Sequence, residues 1–149
     1  MSIDITIEKT IGRPAEEVAR FAMDPANDTA WIGGISEARI VTDGPLAPRS
    51  RVARVASFHG KRIEYVNEID ELAPGERLVM HSVAGPFPMR ITYEFADREG
   101  GAVARIRVEG DAGGFYAVAA PLLRRKVRRS VEADLATLKG LLERRADSA

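Results

Sequence analysis

Near the C-terminal end of the chain, apolar residues recur every three or four positions over about twenty residues. The recurring residues are Leu123, Val127, Val131, Leu135, Leu138 and Leu142. At about 100° per residue these side chains form one stripe of an amphipathic α-helix. Such a helix must bury its stripe against another element, so the rest of the chain has to supply a matching apolar face.

The same segment carries a dense run of basic residues: Arg124, Arg125, Lys126, Arg128 and Arg129. Most of them lie opposite the stripe, and Arg128 and Arg129 lie four and three residues from Glu132, which is typical of a solvent-exposed face. Lys plus Arg and Asp plus Glu both number 22, so the chain has no net charge that would attract nucleic acid. We therefore expect no nucleic-acid partner. A basic surface for a partner protein or for RNA is the alternative.

The residues before this segment predict strands and two short helices. Residues 3–7 alternate between isoleucine and polar residues, as a half-buried strand does. In residues 13–31, Pro14 suits the first position of one helix, and Asp24 caps a second that ends near Trp31. Turn signals then separate six further strands, which we predict at residues 36–43, 51–58, 61–70, 77–83, 89–95 and 102–110.

This order of elements predicts an α+β fold in a single domain, residues 1–149, with one antiparallel sheet of about seven strands. The long C-terminal helix is the only element long enough to cover that sheet. Small residues (Ala117, Ala119 and Ala120) precede its apolar stripe, and Pro121 is expected to interrupt its hydrogen bonds. We therefore expect a cavity between the sheet and the first half of the helix, and a packed core under the second half.

Two strands place polar groups among inward-facing apolar residues. Alternation puts Tyr65 and Asn67 on the inner face of one strand, and Tyr93 on the inner face of the strand at 89–95. A buried hydroxyl or amide needs a hydrogen-bond partner in the protein, in water or in a ligand. These three side chains therefore predict a ligand-binding cavity. The outward-facing residues of the strand at 89–95 are Arg90, Thr92 and Glu94.

Five further residues complete the predicted cavity. Trp31 is expected to close the pair of short helices, either as a core anchor or as a ligand contact. Met89 faces inward on its strand, and Phe115 stands at the start of the C-terminal segment. His81 belongs to a strand with apolar residues on both faces, so its side chain can face either the cavity or the solvent. Arg124, at the edge of the stripe, is predicted to lie at the cavity mouth, where its guanidinium stays hydrated and can bind acidic ligands.

The whole chain resembles the START-like (SRPBCC) superfamily, which groups polyketide cyclases/dehydrases with lipid-transfer and plant hormone-binding proteins. The resemblance rests on ITIEKTIGRPAEEVARFAMDP near the start, RIEYVNEIDELAPGERL and GPFP in the middle, and PLLRRKVRRSVEADLATLKGLLE at the end. It implies a helix-grip fold that binds a small hydrophobic ligand (polyketide, quinone, isoprenoid or lipid-like) between sheet and helix. The alternative that it implies is a polyketide cyclase or dehydratase using the same cavity.

Within the superfamily, the chain is similar to the aromatic polyketide aromatase/cyclases at Trp31, at residues 64–66 and at residues 85–87. Those enzymes also use a pocket arginine on the strand that carries the Glu-aromatic-Val stretch, where this chain has Ile69. This departure favours ligand binding over catalysis. In an enzyme of this kind, Tyr65, Asn67 and Tyr93 would orient a poly-carbonyl substrate.

Other chemistries are not indicated. The chain has no cysteine, its two histidines (His59 and His81) lack a third metal ligand at a suitable spacing, and no phosphate-binding glycine loop occurs. We expect neither a metal nor a cofactor. The first residues lack the apolar core of a signal peptide, and no apolar run is long enough to span a bilayer. These features predict a cytoplasmic protein, and the scarcity of lysine favours a bacterial one; monomer and homodimer both stay open.

Overall fold

A single curved sheet dominates the computed structural model, which describes residues 2–58, 60–85, 88–111 and 120–147. Neighbouring strands pair antiparallel in the order β1-β7-β6-β5-β4-β3-β2, so the first strand pairs with the last. Within the described residues there are seven strands: β1 (Ser2–Ile11), β2 (Ile35–Ile40), β3 (Arg51–Phe58), β4 (Lys61–Ala73), β5 (Arg77–Ala84), β6 (Met89–Arg98) and β7 (Gly101–Asp111).

Short helices connect β1 to β2, as the sequence predicts. Helix α1 (Ala15–Ala22) follows Pro14, which is the N-cap and not the first helical residue. A 3₁₀ turn (Pro25–Asn27) leads into α2 (Asp28–Trp31), and the Asp24 side chain caps the turn by accepting from the Ala26 N–H at 3.0 Å. With the long helix α3 (Ala120–Asp147), these elements confirm the predicted α+β helix-grip fold.

Helix α3 packs on the sheet through its apolar stripe, and the two halves of the stripe differ in burial. In the second half, Leu135, Leu138 and Leu142 are almost completely buried. In the first half, Leu123, Val127 and Val131 are only half-buried, which agrees with the expected change from open space to packed core. Pro121 is the second described residue of α3, and the interruption expected there depends on residues before Ala120, which lie outside the described residues. Ala117 and Ala119 lie outside the described residues.

Two carboxylates of α3 hold the helix to the connections around β1 and β2. The Asp134 carboxylate accepts the backbone N–H of Gly33 at 3.0 Å. One turn from the helix end, the Glu143 carboxylate accepts the N–H of Gly12 at 2.8 Å and the Lys139 ammonium at 2.6 Å. These contacts fix the position of α3 over the sheet, in addition to the apolar contacts beneath it.

The alternation expected for β6 is confirmed on its inner face and fails at one outward position. Tyr93 and Phe95 are buried, as expected. Thr92, which we expected to face water, is only 6% exposed. It pairs in register with Val79 and Arg107, and a short hydroxyl beside such a long side chain keeps little accessible area. Among the helices described, none has the length and apolar character needed to cross a membrane.

Candidate functional site

A cavity of about 280 Å³ lies between the inner face of the sheet and the first half of α3. The sheet contributes most of its wall, α2 and the turn after it contribute one end, and α3 covers it. The cavity lies under the part of α3 whose apolar stripe is only half-buried. Beyond Val131 the residues of the stripe are fully buried. Apolar wall residues include Ile3, Ile35, Ile63, Ile91, Ile106, Val108, Leu123, Val127 and Val131.

Five of the residues predicted from the sequence lie on this wall: Trp31, Tyr65, Asn67, Met89 and Tyr93. Trp31 is 2% exposed and meets Tyr93 edge-on, with 5.8 Å between ring centroids. Asn67 and Tyr93 are also buried, while Tyr65 is half-buried. The structure thus brings together side chains from α2, β4 and β6 that are distant in sequence. Their role in ligand binding stays a prediction.

Two of the remaining three predicted residues, His81 and Arg124, are not among the described cavity residues. His81 lies on the outer face of the sheet, where its Nδ1 is 2.7 Å from the Asp70 Oδ1. The reason is the alternation of the strand: Met80 and Ser82, the neighbours of His81 in β5, both lie on the cavity wall. Arg124 is exposed and is not a wall residue; its charge acts on Asp4 of β1. Phe115 lies outside the described residues.

A buried ion pair in the wall was not foreseen from the sequence. The Arg54 Nε donates to the Asp28 Oδ2 at 2.7 Å, and the two side chains are only 4% and 1% exposed. The Arg54 Nη1 contacts the Met80 sulfur at 3.4 Å. Arg54 is the register partner of Tyr65, so the cavity does contain an arginine beside the Glu-aromatic-Val stretch. It comes from β3, whereas the comparison of motifs directed attention to Ile69 on β4.

Burial dominates the electrostatics of the cavity. It raises the pKa of Tyr93 and of Tyr65 above the usual range, so both phenols stay protonated. Burial also raises the pKa of Asp28, although Arg54 acts in the opposite direction. For Arg54, burial lowers the pKa, but the Asp28 carboxylate together with Tyr93 and Tyr65 more than offsets this, and the net shift is upward. The pKa of Asp134 is raised by burial, against the effect of its backbone N–H donor.

These groups give the cavity a limited chemistry. The phenols and the indole can donate hydrogen bonds, and Arg54 offers a guanidinium whose Nη1 contacts a thioether, which is a weak acceptor. Asp134, on the wall, is a carboxyl that can gain a proton more readily than an exposed one. The cavity can therefore hold an apolar molecule and polarise an oxygen on it.

A group of possible metal ligands lies outside the cavity. Glu68, Asp70 and His81 each offer one ligand atom, and these atoms lie within 4.8 Å of one another. The sequence suggested no third ligand for His81, because a strand register brings this set together. However, Arg51 pairs with Glu68 at 3.3 Å, and Arg90 is the register partner of His81. Two positive charges thus compete with a cation at this position.

A family model described as "Polyketide cyclase / dehydrase and lipid transport" matches residues 2–143. No functionally curated protein matches the sequence at a significant level. Among solved structures, the ZhuI aromatase/cyclase from Streptomyces sp. R1128 superimposes with a TM-score of 0.83 at 17% identity, over 98% of this chain and 96% of that one. A START superfamily protein from Mycobacterium smegmatis gives a TM-score of 0.77 at 13% identity, over 96% and 97% of the two chains. A protein of Thermus thermophilus gives 0.79 at 21% identity, over 92% and 94%.

Proposed function

Because this chain belongs to the polyketide cyclase / dehydrase and lipid transport family, we propose that it binds a small hydrophobic molecule in the cavity between the sheet and α3. The observation that carries the proposal is the apolar wall of the cavity. If the cavity were empty or filled with water, the apolar side chains of this wall would lack partner atoms to pack against. The fixed position of α3, held by Asp134 and Glu143, keeps the cavity preformed.

The volume restricts the ligand. Pockets for drug-sized ligands measure roughly 300–1,000 Å³, and the cavity volume of about 280 Å³ lies just below that range. A molecule of one or two rings, or a short chain, fits such a space. Small polyketides, quinones and isoprenoids meet this condition more easily than a long acyl chain.

Native mass spectrometry of the purified protein, together with solvent extraction, tests this proposal by revealing a co-purifying ligand. Titration with Prodan, an uncharged dye with two rings, supplies a second readout that does not depend on ligand identity. Val127→Trp should fill the cavity and abolish dye binding, because Val127 lies on the wall. Ala136→Trp adds the same side chain at an exposed position of the same helix and should leave binding unchanged. Absence of both ligand and dye binding in the unmodified protein would reject the proposal.

A second candidate is cyclisation or dehydration of a poly-carbonyl substrate in the same cavity. The buried Arg54–Asp28 pair favours it, since a guanidinium in an apolar wall can polarise a carbonyl oxygen. Asp134 would exchange a proton with the substrate, and Tyr65, Asn67 and Tyr93 would orient it. The test is cyclisation of a model poly-β-ketone by the unmodified protein and by Tyr93→Phe. Rates equal to those in buffer for both would exclude this candidate.

A further inference from the structure

One buried polar atom of a residue that lines the cavity lacks a hydrogen-bond partner among the described residues. The indole Nε1 of Trp31 is buried and meets no acceptor in the described part of the chain. The ring is 2% exposed and is held edge-on against Tyr93, so its rotation toward solvent is blocked. Leaving a buried donor unsatisfied is unfavourable, and native structures rarely do so without a ligand, water or ion nearby. An acceptor atom on a bound molecule would complete this site.

The charges around the cavity restrict what kind of acceptor that molecule carries. Asp28 already compensates the positive charge of Arg54 at 2.7 Å. Asp134 is the carboxyl that lies on the described wall itself, where it accepts a backbone N–H. A ligand carboxylate would therefore enter an apolar space beside the Asp134 carboxyl, and the Arg54 guanidinium on that wall is already paired with Asp28. Burying such an uncompensated anion is strongly unfavourable.

We infer that the cavity selects uncharged ligands whose carbonyl-type oxygen accepts a hydrogen bond from Trp31 Nε1, and that it rejects carboxylates of the same shape. This inference rests on the proposed function, because it names the class of ligand that the cavity takes. It separates ketones and quinones from fatty acids, which the apolar wall alone does not distinguish. It also differs from the expectation for Arg124, which assigned acidic ligands to the cavity mouth.

Three naphthalene derivatives of nearly equal shape test it: 2-acetylnaphthalene, 2-ethylnaphthalene and 2-naphthoic acid. They carry a neutral acceptor, no acceptor and a carboxylate, respectively. At neutral pH we expect the ketone to bind about fivefold to tenfold more tightly than the hydrocarbon, as one satisfied hydrogen bond gives. The acid should bind at least about tenfold more weakly than the ketone.

Trp31 is the only tryptophan in the chain, so its indole N–H gives a single assigned signal in a ¹⁵N–¹H spectrum. The ketone should shift that proton downfield relative to the hydrocarbon, because only the ketone can accept from it. This measurement on the unmodified protein does not depend on whether a variant folds. In addition, Trp31→Phe should abolish the preference for the ketone over the hydrocarbon. Arg124→Ala, which removes an exposed positive charge, should leave the order of the three affinities unchanged.

The outcomes distinguish this inference from the function on which it rests. If none of the three compounds binds and Prodan does not bind either, the proposed function itself fails. If the hydrocarbon binds as tightly as the ketone and the two give the same indole shift, Trp31 is not a ligand donor and the inference is wrong. Tight binding of 2-naphthoic acid at neutral pH would overturn the selection against anions.

Discussion

Replacing Asp28 by asparagine removes the negative charge of the buried pair and keeps nearly the same shape. The Arg54 Nε lies 2.7 Å from the Asp28 Oδ2, and the side chains are 4% and 1% exposed. Asparagine can still accept the hydrogen bond through its amide oxygen, so the variant isolates the charge. We expect it to destabilise the protein, because Arg54 cannot lose its proton and would stay buried without a counter-charge.

The magnitude follows from this burial. Two unit charges about 4 Å apart attract by about 4 kcal/mol at the effective dielectric constant of about 20 that suits protein sites. Removing one partner of a buried pair costs about 3–5 kcal/mol in measured cases. For a protein of about 150 residues each kcal/mol shifts the melting temperature by about 2–4 °C. The expected decrease is therefore about 6–20 °C, with the lower end favoured because the hydrogen bond is kept.

Thermal and urea unfolding followed by circular dichroism measure this effect. The matched control is Arg62→Gln, which breaks the exposed pair of Arg62 and Glu64, with side chains 66% and 70% exposed. That control should change the free energy of unfolding by less than about 0.5 kcal/mol. If Asp28→Asn costs no more than the control, the pair is not buried as the structure shows, and the electrostatic argument for the cavity is wrong.

Three further predictions concern other parts of the fold. Asp134→Asn should raise the stability of the fold near neutral pH and lose this advantage in acid. The reason is that burial raises the pKa of Asp134, so the ionised carboxylate destabilises the fold as the pH rises through that pKa. Melting curves recorded from acid to neutral pH check the sign of the effect. Leu138→Ala should cost about 2–5 kcal/mol of unfolding free energy by urea titration, against less than about 0.5 for the exposed Leu122→Ala. Gly85→Ala should lower the melting temperature and weaken Prodan binding, since its Cβ would stand 2.7 Å from the Tyr65 Cβ at a backbone φ of 137°.

Most of the fold follows from periodicity and turn chemistry. Alternation of side chains located the strands, and turn chemistry located the connections, such as Gly75, which has a φ of 79° between β4 and β5. The stripe of α3 also indicated where packing becomes tight, between Val131 and Leu135. What periodicity does not determine is how far a neighbouring side chain shields an outward residue, and Thr92 shows this: its exposure depends on pairing with β5 and β7.

Cavity residues could be predicted from the sequence where a polar residue interrupted a clearly apolar face of its strand. They could not be predicted where the strand had no clear apolar face. Tyr65, Asn67 and Tyr93 interrupt alternating strands, and all three lie on the wall. Arg54 stands in a strand with small or apolar residues on both sides, so alternation could not show that it points inward. Its partner Asp28 lies 26 positions earlier in a short helix, where an acidic residue is ordinary capping chemistry.

The same pair allows a last prediction, about why an apolar wall contains it. Well-packed apolar residues in place of a buried ion pair often leave stability unchanged or increase it. We therefore expect the double variant Asp28→Leu with Arg54→Met to recover most of the stability that Asp28→Asn loses, to within about 1–2 kcal/mol of the unmodified protein. If stability were the only role of the pair, this variant would bind 2-ethylnaphthalene and 2-acetylnaphthalene as before.

We expect instead that the double variant binds the hydrocarbon as before and binds the ketone about threefold to tenfold less tightly. The reason is that the wall loses the Arg54 guanidinium, whose Nη1 contacts only a weak acceptor among the described residues. A residue that breaks the apolar pattern without a gain in stability is what a functional site requires. Unchanged affinity for both compounds in a folded double variant would show that the pair only fixes α2 against β3, and it would remove the main support for carbonyl chemistry in this cavity.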